Sequence, residues 1–162
     1  MKFKNVTGDI MIKGVEVKHL KLIKDERGFV MEMLRCDDEI FKKFGQAYVS
    51  ACNPGYVKGW HHHKIQTDNF VVLEGKARIL LYDDRQDSPT KGEHMEFIVS
   101  REDPVLIQIP PGILHGFEAL GKKPIFVISI PTEPYNYKNP DEFRVDPFEN
   151  DIPVKWRAKK GR

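Results

Sequence analysis

Along this chain, side chains of different polarity alternate over short runs. Between Ala77 and Tyr82, the apolar residues of one face alternate with arginine, leucine and tyrosine on the other, which is the period-two pattern of a β-strand. Glu74-Gly75-Lys76 separates this run from the preceding one and predicts a tight hairpin turn. Strands are predicted over seven runs, namely Phe29–Leu34, Gln46–Asn53, Asn69–Leu73, Ala77–Asp83, Met95–Val99, Val105–Ile109 and Ile125–Ile130.

Turn-forming residues interrupt these runs throughout, because the chain contains eleven prolines and twelve glycines. A short helix is predicted over Asp37–Phe44, with Asp37 or Asp38 as its N-cap and three apolar side chains on one face. Many short strands with frequent turns predict an all-β sandwich or barrel. A length of 162 residues suits a single domain over 1–162.

Charge and composition narrow the function classes. A net charge of +2 gives no support for a nucleic-acid partner. No apolar run approaches the roughly 20 residues that span a bilayer, and the first residues lack the apolar core of a secretion signal. We therefore expect a cytoplasmic protein without a membrane partner, with Cys36 and Cys52 as buried free thiols. The basic tail Lys155–Arg162 is expected to be frayed and solvated.

The densest cluster of candidate catalytic or metal-binding residues consists of histidines. Three of the six lie in the segment Lys58–Lys64, where a strand would point His61 and His63 to one face and His62 to the other. His115 follows a Pro-Pro-Gly turn at the start of another apolar run. Two histidine sites in one barrel predict a shared pocket.

A second polar face is predicted on the run that begins at Gln46. Its alternate residues Gln46, Tyr48 and Ser50 are polar or amphipathic. Polar side chains inside a barrel are costly unless they bind a ligand or pair with each other. This face therefore either lines a wet pocket or faces solvent.

Two segments resemble the conserved motifs of the cupins. Gly59, His61-x-His63, Asp68 and Gly75 resemble the first cupin motif, with aspartate in place of the usual glutamate. Pro110-x-Gly112-x-x-His115 resembles the second. The resemblance implies a jelly-roll β-barrel, also called a double-stranded β-helix.

A closer resemblance is to the cupin branch of dTDP-4-dehydrorhamnose 3,5-epimerase and related nucleotide-sugar epimerases. It extends from about Gly14 to Asp146. Five segments carry it in order: Asp25–Glu32, Gln46 followed by Ser50, Lys58–His61, Asp83–Gly92 and Pro110–Phe117.

Several functional properties are implied by this resemblance. The chain would be an isomerase that epimerises a 4-keto nucleotide sugar in deoxysugar or surface-polysaccharide biosynthesis, as a homodimer and without a cofactor. Epimerisation beside a ketone needs a base, an acid and stabilisation of the enolate. His61 would be the base, and Arg27 and Lys58 would hold the diphosphate. The remaining implied substrate contacts are Glu32, Gln46 and His115.

Three departures from the family pattern stand out. Asp68 occupies the position of a family lysine that stabilises the enolate, and its negative charge would oppose the enolate instead. The strand Ile125–Ile130 lacks the family's catalytic tyrosine, so we expect Tyr137, or Tyr135, to substitute for it. The aspartate that supports the family's base lies in a C-terminal extension, and Asp83 or Asp84 would have to replace it.

Three functional interpretations follow. The first is a divergent nucleotide-sugar epimerase or isomerase. The second is a metal-dependent cupin enzyme in which His61, His63, Asp68 and His115 bind Fe(II), Mn(II), Ni(II) or Zn(II). The third is a non-catalytic module that binds a sugar nucleotide.

Overall fold

The computed structural model describes residues 11–162, which form short strands joined by turns. The strands are β1 (Glu16–His19), β2 (Leu22–Asp25), β3 (Gly28–Met31), β4 (Tyr48–Cys52), β5 (Tyr56–His62), β6 (Asp68–Glu74), β7 (Lys76–Asp83), β8 (His94–Ser100), β9 (Val105–Ile109), β10 (Ile113–Ala119), β11 (Ile125–Ser129), β12 (Phe143–Arg144) and β13 (Lys160–Gly161). Within this range there is no helix long and apolar enough to cross a membrane.

Two sheets build the barrel. One has the order β1-β9-β6-β11-β4, and the other has the order β12-β5-β10-β7-β8 with β13 added beside β5. Every pairing is antiparallel except that of β13 with β5. Strands β2 and β3 form a separate hairpin. The all-β prediction is confirmed.

Alternate residues of both sheets fill the core. Phe70 and Val72 of β6 pack in one cluster with Ile79 and Leu81 of β7 and with Ile107 of β9. Because successive side chains of a strand point to opposite faces, the predicted alternation in β7 placed Ile79 and Leu81 on one face, and that face is the one in the core. All seven predicted strands are present, with boundaries that differ by up to three residues.

The predicted helix over Asp37–Phe44 is wrong. That segment contains two single turns, closed by bonds from the Asp38 N–H to the Arg35 carbonyl and from the Phe41 N–H to the Asp38 carbonyl. The carbonyl of Ile40, which a helix would use internally, accepts instead from Gln108 Nε2 at 2.8 Å. A long-range contact therefore overrides the local helical pattern.

The basic tail also differs from its expected state, because it is packed onto the barrel. Trp156 lies against Trp60, with ring centroids 4.6 Å apart. The N–H groups of Arg157 and Ala158 donate to the buried Glu118 carboxylate at 3.0 and 2.7 Å. The following residues then form β13 alongside β5.

Candidate functional site

His61 and His115 face each other across β5 and β10. They are paired in the β-ladder, and their ring centroids lie 6.4 Å apart. The two strands approach closely because Gly116 has no side chain: a Cβ there would lie 2.7 Å from the Cα of Gly59. The two histidine segments thus lie on neighbouring strands, but His115 is not among the residues that line the cavity beside His61.

His63 and Asp68 join His115 in a buried cluster. The Nε2 atoms of His63 and His115 each lie 3.1 Å from Asp68 Oδ2, and the Asp68 side chain is only 1% exposed. The connecting turn is held by Asp141, whose carboxylate accepts the N–H groups of residues 64–66 at 2.8 to 3.0 Å. This turn returns the chain so that Asp68 faces the two imidazoles.

Backbone carbonyls fix the tautomers of both imidazoles. His115 Nδ1 lies 2.9 Å from the carbonyl oxygen of Ile113, and His63 Nδ1 contacts the carbonyl oxygen of Asp141. A carbonyl only accepts, so each Nδ1 carries its hydrogen. If both imidazoles were neutral, the lone pairs of both Nε2 atoms would face the negatively charged Asp68 carboxylate, which is unfavourable. The cluster therefore requires a shared proton or a cation.

The charges of the cluster agree with a shared proton. Burial alone would raise the pKa of Asp68, but the hydrogen bonds and charges of His115 and His63 outweigh burial and hold it well below its usual range. Burial would lower the pKa of His63, but the hydrogen bond and charge of Asp68 raise it overall. Asp68 is therefore a carboxylate neutralised by the adjacent imidazoles.

His61 lies on the wall of a cavity of about 550 Å³. Burial, reinforced by the charge of His115, lowers the pKa of His61 to about 4. Its Nε2 atom is buried and has no hydrogen-bond partner among residues 11–162. The lowered pKa favours the neutral form of this imidazole on the cavity wall.

Cationic side chains surround this cavity. Lys58, Arg144 and Arg162 line it, and no carboxylate side chain of the described residues does. Lys58 Nζ also donates to Ser50 Oγ at 2.9 Å, across from β5 to β4. Because the like charges converge on one concave surface, the cavity suits an anionic ligand.

Arg27 and Glu32 lie away from this cavity within one copy of the chain. Arg27 sits at the β2–β3 turn with its side chain 82% exposed and paired to Asp25. Glu32 pairs with Arg35 on the surface. Gln46, just before β4, is placed by its N–H group, which bonds the Pro131 carbonyl, and it is not among the residues that line the cavity.

The candidate tyrosine and the candidate aspartates are also separated from His61. Tyr137 is 89% exposed and lines another cavity, of about 650 Å³, together with Asp141. The Asp83 carboxylate is buried and occupied by Arg85 and Thr90, so it does not orient the His61 ring. Its neighbour Asp84 is exposed.

Sequence reasoning missed several residues of the site. Arg144 carried no local signal, and Arg162 was expected in a frayed tail. Both reach the cavity through the late strands β12 and β13. Asp141 likewise organises a turn more than 70 residues away. The alternation Gln46, Tyr48, Ser50 did carry a signal: Cys52 of that face is in the barrel core and Ser50 is at the cavity.

Comparison with known proteins identifies the family. Residues 23–143 match the polysaccharide biosynthesis C-terminal domain. The chain belongs to this family. A spore coat polysaccharide biosynthesis protein of Bacillus subtilis, SpsL, is 39% identical over 149 residues, which cover 92% of this chain and 99% of the relative. The probable low-salt glycan biosynthesis epimerase Agl13 of Haloferax volcanii is 40% identical over 150 residues, 91% and 96% of the two chains.

Solved structures agree with the family assignment. A dTDP sugar isomerase from Desulfovibrio desulfuricans superposes with a TM-score of 0.85 at 32% identity and covers 91% of this chain and 95% of that one. The predicted cupin jelly-roll and the predicted relationship to nucleotide-sugar epimerases are confirmed. The expectation of an isomerase in polysaccharide biosynthesis is confirmed with them.

Proposed function

We propose that this polysaccharide biosynthesis domain epimerises a 4-keto nucleotide sugar at a carbon beside the ketone. The observation that carries the proposal is a neutral His61 on the wall of a cation-lined cavity of about 550 Å³. The two relatives and the dTDP sugar isomerase support a substrate of this class.

Different residues bind the substrate and transfer the proton. The cavity cations hold the diphosphate, since arginine binds it bidentately and lysine as a point charge. His61 takes the proton from the carbon beside the ketone. Its low pKa keeps the imidazole neutral at neutral pH, so that one ring nitrogen is available to accept that proton. Asp68 does not oppose the enolate as a lone anion, because its charge is offset by the adjacent His63 and His115.

A homodimer is part of this proposal. The β2–β3 hairpin that carries Arg27 also exposes Ile23, Phe29 and Val30. Burial of these apolar side chains by a second copy would stabilise a dimer. Arg27 would then serve the site of the pair rather than that of a single copy.

We also place the protein in the cytoplasm. Cys36 and Cys52 are both free thiols. Cys52 is buried as expected, but the expected burial of Cys36 is wrong, because Cys36 lies in an exposed turn. Unpaired cysteines suit a reducing compartment.

Nucleoside diphosphate binding tests the proposal directly. Calorimetry with dTDP, UDP, GDP and CDP should detect binding of at least one of them. Lys58→Ala should weaken that binding by about 1.5–3 kcal/mol, the usual contribution of a hydrogen bond to a charged group. Lys91→Ala, which changes an exposed lysine that contacts Gln86, is the matched control and should have no effect.

Two results bear on the rest of the proposal. Absence of binding by all four nucleotides at millimolar concentration would contradict a sugar-nucleotide substrate. A loss of affinity in Arg27→Ala would show that a second copy completes the site, because Arg27 is remote from the cavity of its own chain.

A metal-dependent cupin enzyme is the second candidate function. One ligand atom from each of His63, Asp68 and His115 lies within 4.8 Å of the others. Two imidazoles and one carboxylate suit Fe(II), Mn(II), Ni(II) or Zn(II), and both imidazoles are oriented by backbone carbonyls. His61 does not belong to this group, so the expected four-residue ligand set becomes three. A bound cation would supply positive charge near the ketone oxygen.

Elemental analysis of untagged protein tests this candidate. If it is correct, the protein should contain near-stoichiometric metal, and His63→Ala and Asp68→Ala should lose it. His62→Ala is the matched control, because His62 points to the opposite side of β5 and stacks on Phe143. Metal-free protein that takes up none of the four ions would leave the cluster with a shared proton and reject the metal enzyme.

A further inference from the structure

The end of the tail forms part of the wall of the cavity beside His61. Gly161 of β13 lies opposite Val57 of β5, and the N–H group of Gly59 donates to the carbonyl oxygen of Arg162 at 3.4 Å. Gly161 and Arg162 both line the cavity that His61 borders. The position of β13 therefore decides whether the Arg162 cation is present at the site.

Position 161 accepts only glycine when β13 is in place. A Cβ atom there would lie 2.2 Å from the carbonyl oxygen of Val57 and 2.5 Å from its Cγ1 atom. Both distances are far shorter than a van der Waals contact. The φ angle of Gly161 is +156°, which side chains also disfavour. A side chain at this position would push β13 away from β5, and Arg162 would move with it.

Arg162 is the uncommitted cation of the cavity. Arg144 pairs with the Glu142 carboxylate, and Lys58 Nζ donates to Ser50 Oγ. The Arg162 guanidinium makes no ion pair or hydrogen bond with any residue in the described range 11–162. Because a free guanidinium offers paired N–H donors that match a phosphate, Arg162 is the cation most available to a diphosphate.

The tail is fixed at its base and weakly held at its end. The N–H groups of residues 157 and 158 bond to the buried Glu118 carboxylate. Beyond this anchor, both residues of β13 are exposed, and the N–H groups of Lys159 and Lys160 share a single acceptor, the Gly55 carbonyl, at 3.3 Å each. Segments with few buried contacts and exposed backbone hydrogen bonds open at a low cost in free energy.

We propose that residues 159–162 form a strap that closes over the diphosphate of the bound nucleotide, an inference that rests on the proposed function. Arg162 is the anion-binding end of the strap, and Gly161 is a positioning residue that lets the strap lie on β5. A phosphate held between Arg162 and Lys58 links the tail to β5. Because this contact exists only in the closed form, the ligand shifts the strap toward that form.

Calorimetry with dTDP and UDP tests the two strap residues. Arg162→Ala should weaken binding by roughly 10–100-fold, the range for a hydrogen bond to a charged group. Arg162→Lys should recover part of the loss, because lysine restores the charge without the paired donors. Gly161→Ala should also weaken binding, although it removes no functional group.

Turnover separates this role from a general loss of structure. With dTDP-4-keto-6-deoxyglucose or its UDP counterpart in D2O, Arg162→Ala should raise KM for deuterium exchange by a similar factor. Its kcat should stay near that of the wild type, because His61 is unchanged. A general loss of folded structure would lower kcat as well.

Two matched variants serve as controls and should bind both nucleotides like the wild type. Gly121 also has a positive φ angle, +100°, but a Cβ atom there would meet no atom within 4 Å, so Gly121→Ala leaves the tail in place. Arg157→Ala removes a cation of the same tail. The Arg157 side chain lies 3.8 Å from Glu96 and does not line the cavity.

Hydrogen exchange distinguishes a closing strap from a static wall. Addition of dTDP or UDP should slow exchange of the amides of residues 159–162 in the wild type, and this protection should be absent in Arg162→Ala. Equal exchange with and without a bound nucleotide would overturn the strap, as would wild-type affinity in Arg162→Ala. Wild-type protein that binds neither nucleotide would instead overturn the proposed function.

Discussion

Replacing His61 with asparagine should slow deuterium exchange at the carbon beside the ketone by roughly 10²–10⁴-fold, the usual contribution of a positioned general base. Asparagine keeps the polarity of the side chain and removes the proton acceptor. His61 is the residue expected to accept the proton because its neutral imidazole lines the cavity. Exchange and inversion should therefore both be lost.

The same histidine segment provides the control. His62→Asn changes a side chain that stacks on Phe143 on the other side of β5, and its exchange rate should match the wild type. Nucleotide binding measured by calorimetry should survive in both variants. An exchange rate unchanged in His61→Asn would remove His61 from the mechanism. Binding without exchange in the wild type would favour the non-catalytic module.

The acidic limb of the pH–rate profile reports the same base. His61 works only when it is neutral, so kcat/KM should fall as the pH drops through its pKa in the folded protein. Because burial lowers that pKa to about 4, activity should persist well below pH 6.5, the ordinary midpoint of histidine. A limb centred near 6.5 would contradict the buried, neutral His61.

Replacing Glu118 with alanine should lower the free energy of unfolding by roughly 3–5 kcal/mol, as expected when one partner of a buried ion pair is removed. Glu118 is 1% exposed and accepts from Arg78 Nη1 at 2.8 Å. It also accepts the N–H groups of Arg157 and Ala158. The variant would leave the Arg78 cation with Glu96 alone and would release the tail that carries β13.

Chemical denaturation measures this loss, with Glu74→Ala as the control. Glu74 pairs with Arg101 at the surface, where an ion pair contributes only about 0–1 kcal/mol. Because the tail carries Arg162 to the cavity, Glu118→Ala should also weaken nucleoside diphosphate binding under folding conditions. Equal stability of the two variants would show that Glu118 does not anchor the tail.

The sequence alone predicted seven of the thirteen strands of the described residues, and it predicted which side chains of a strand share a face. The alternation in Ala77–Tyr82 and the run Val105–Ile109 predicted strands that the structure contains. The same geometry predicted that His61 and His63 share one face of their segment. These features are local, because the period of a strand is set by its own backbone.

Tertiary structure decided which of these residues meet. The bond from Gln108 to the Ile40 carbonyl replaced the predicted helix with turns. Asp68 reaches the imidazoles through a turn held by Asp141, and Arg162 reaches the cavity through β13. Each of these placements depends on contacts between residues far apart in the chain, which no local pattern of apolar and polar positions encodes.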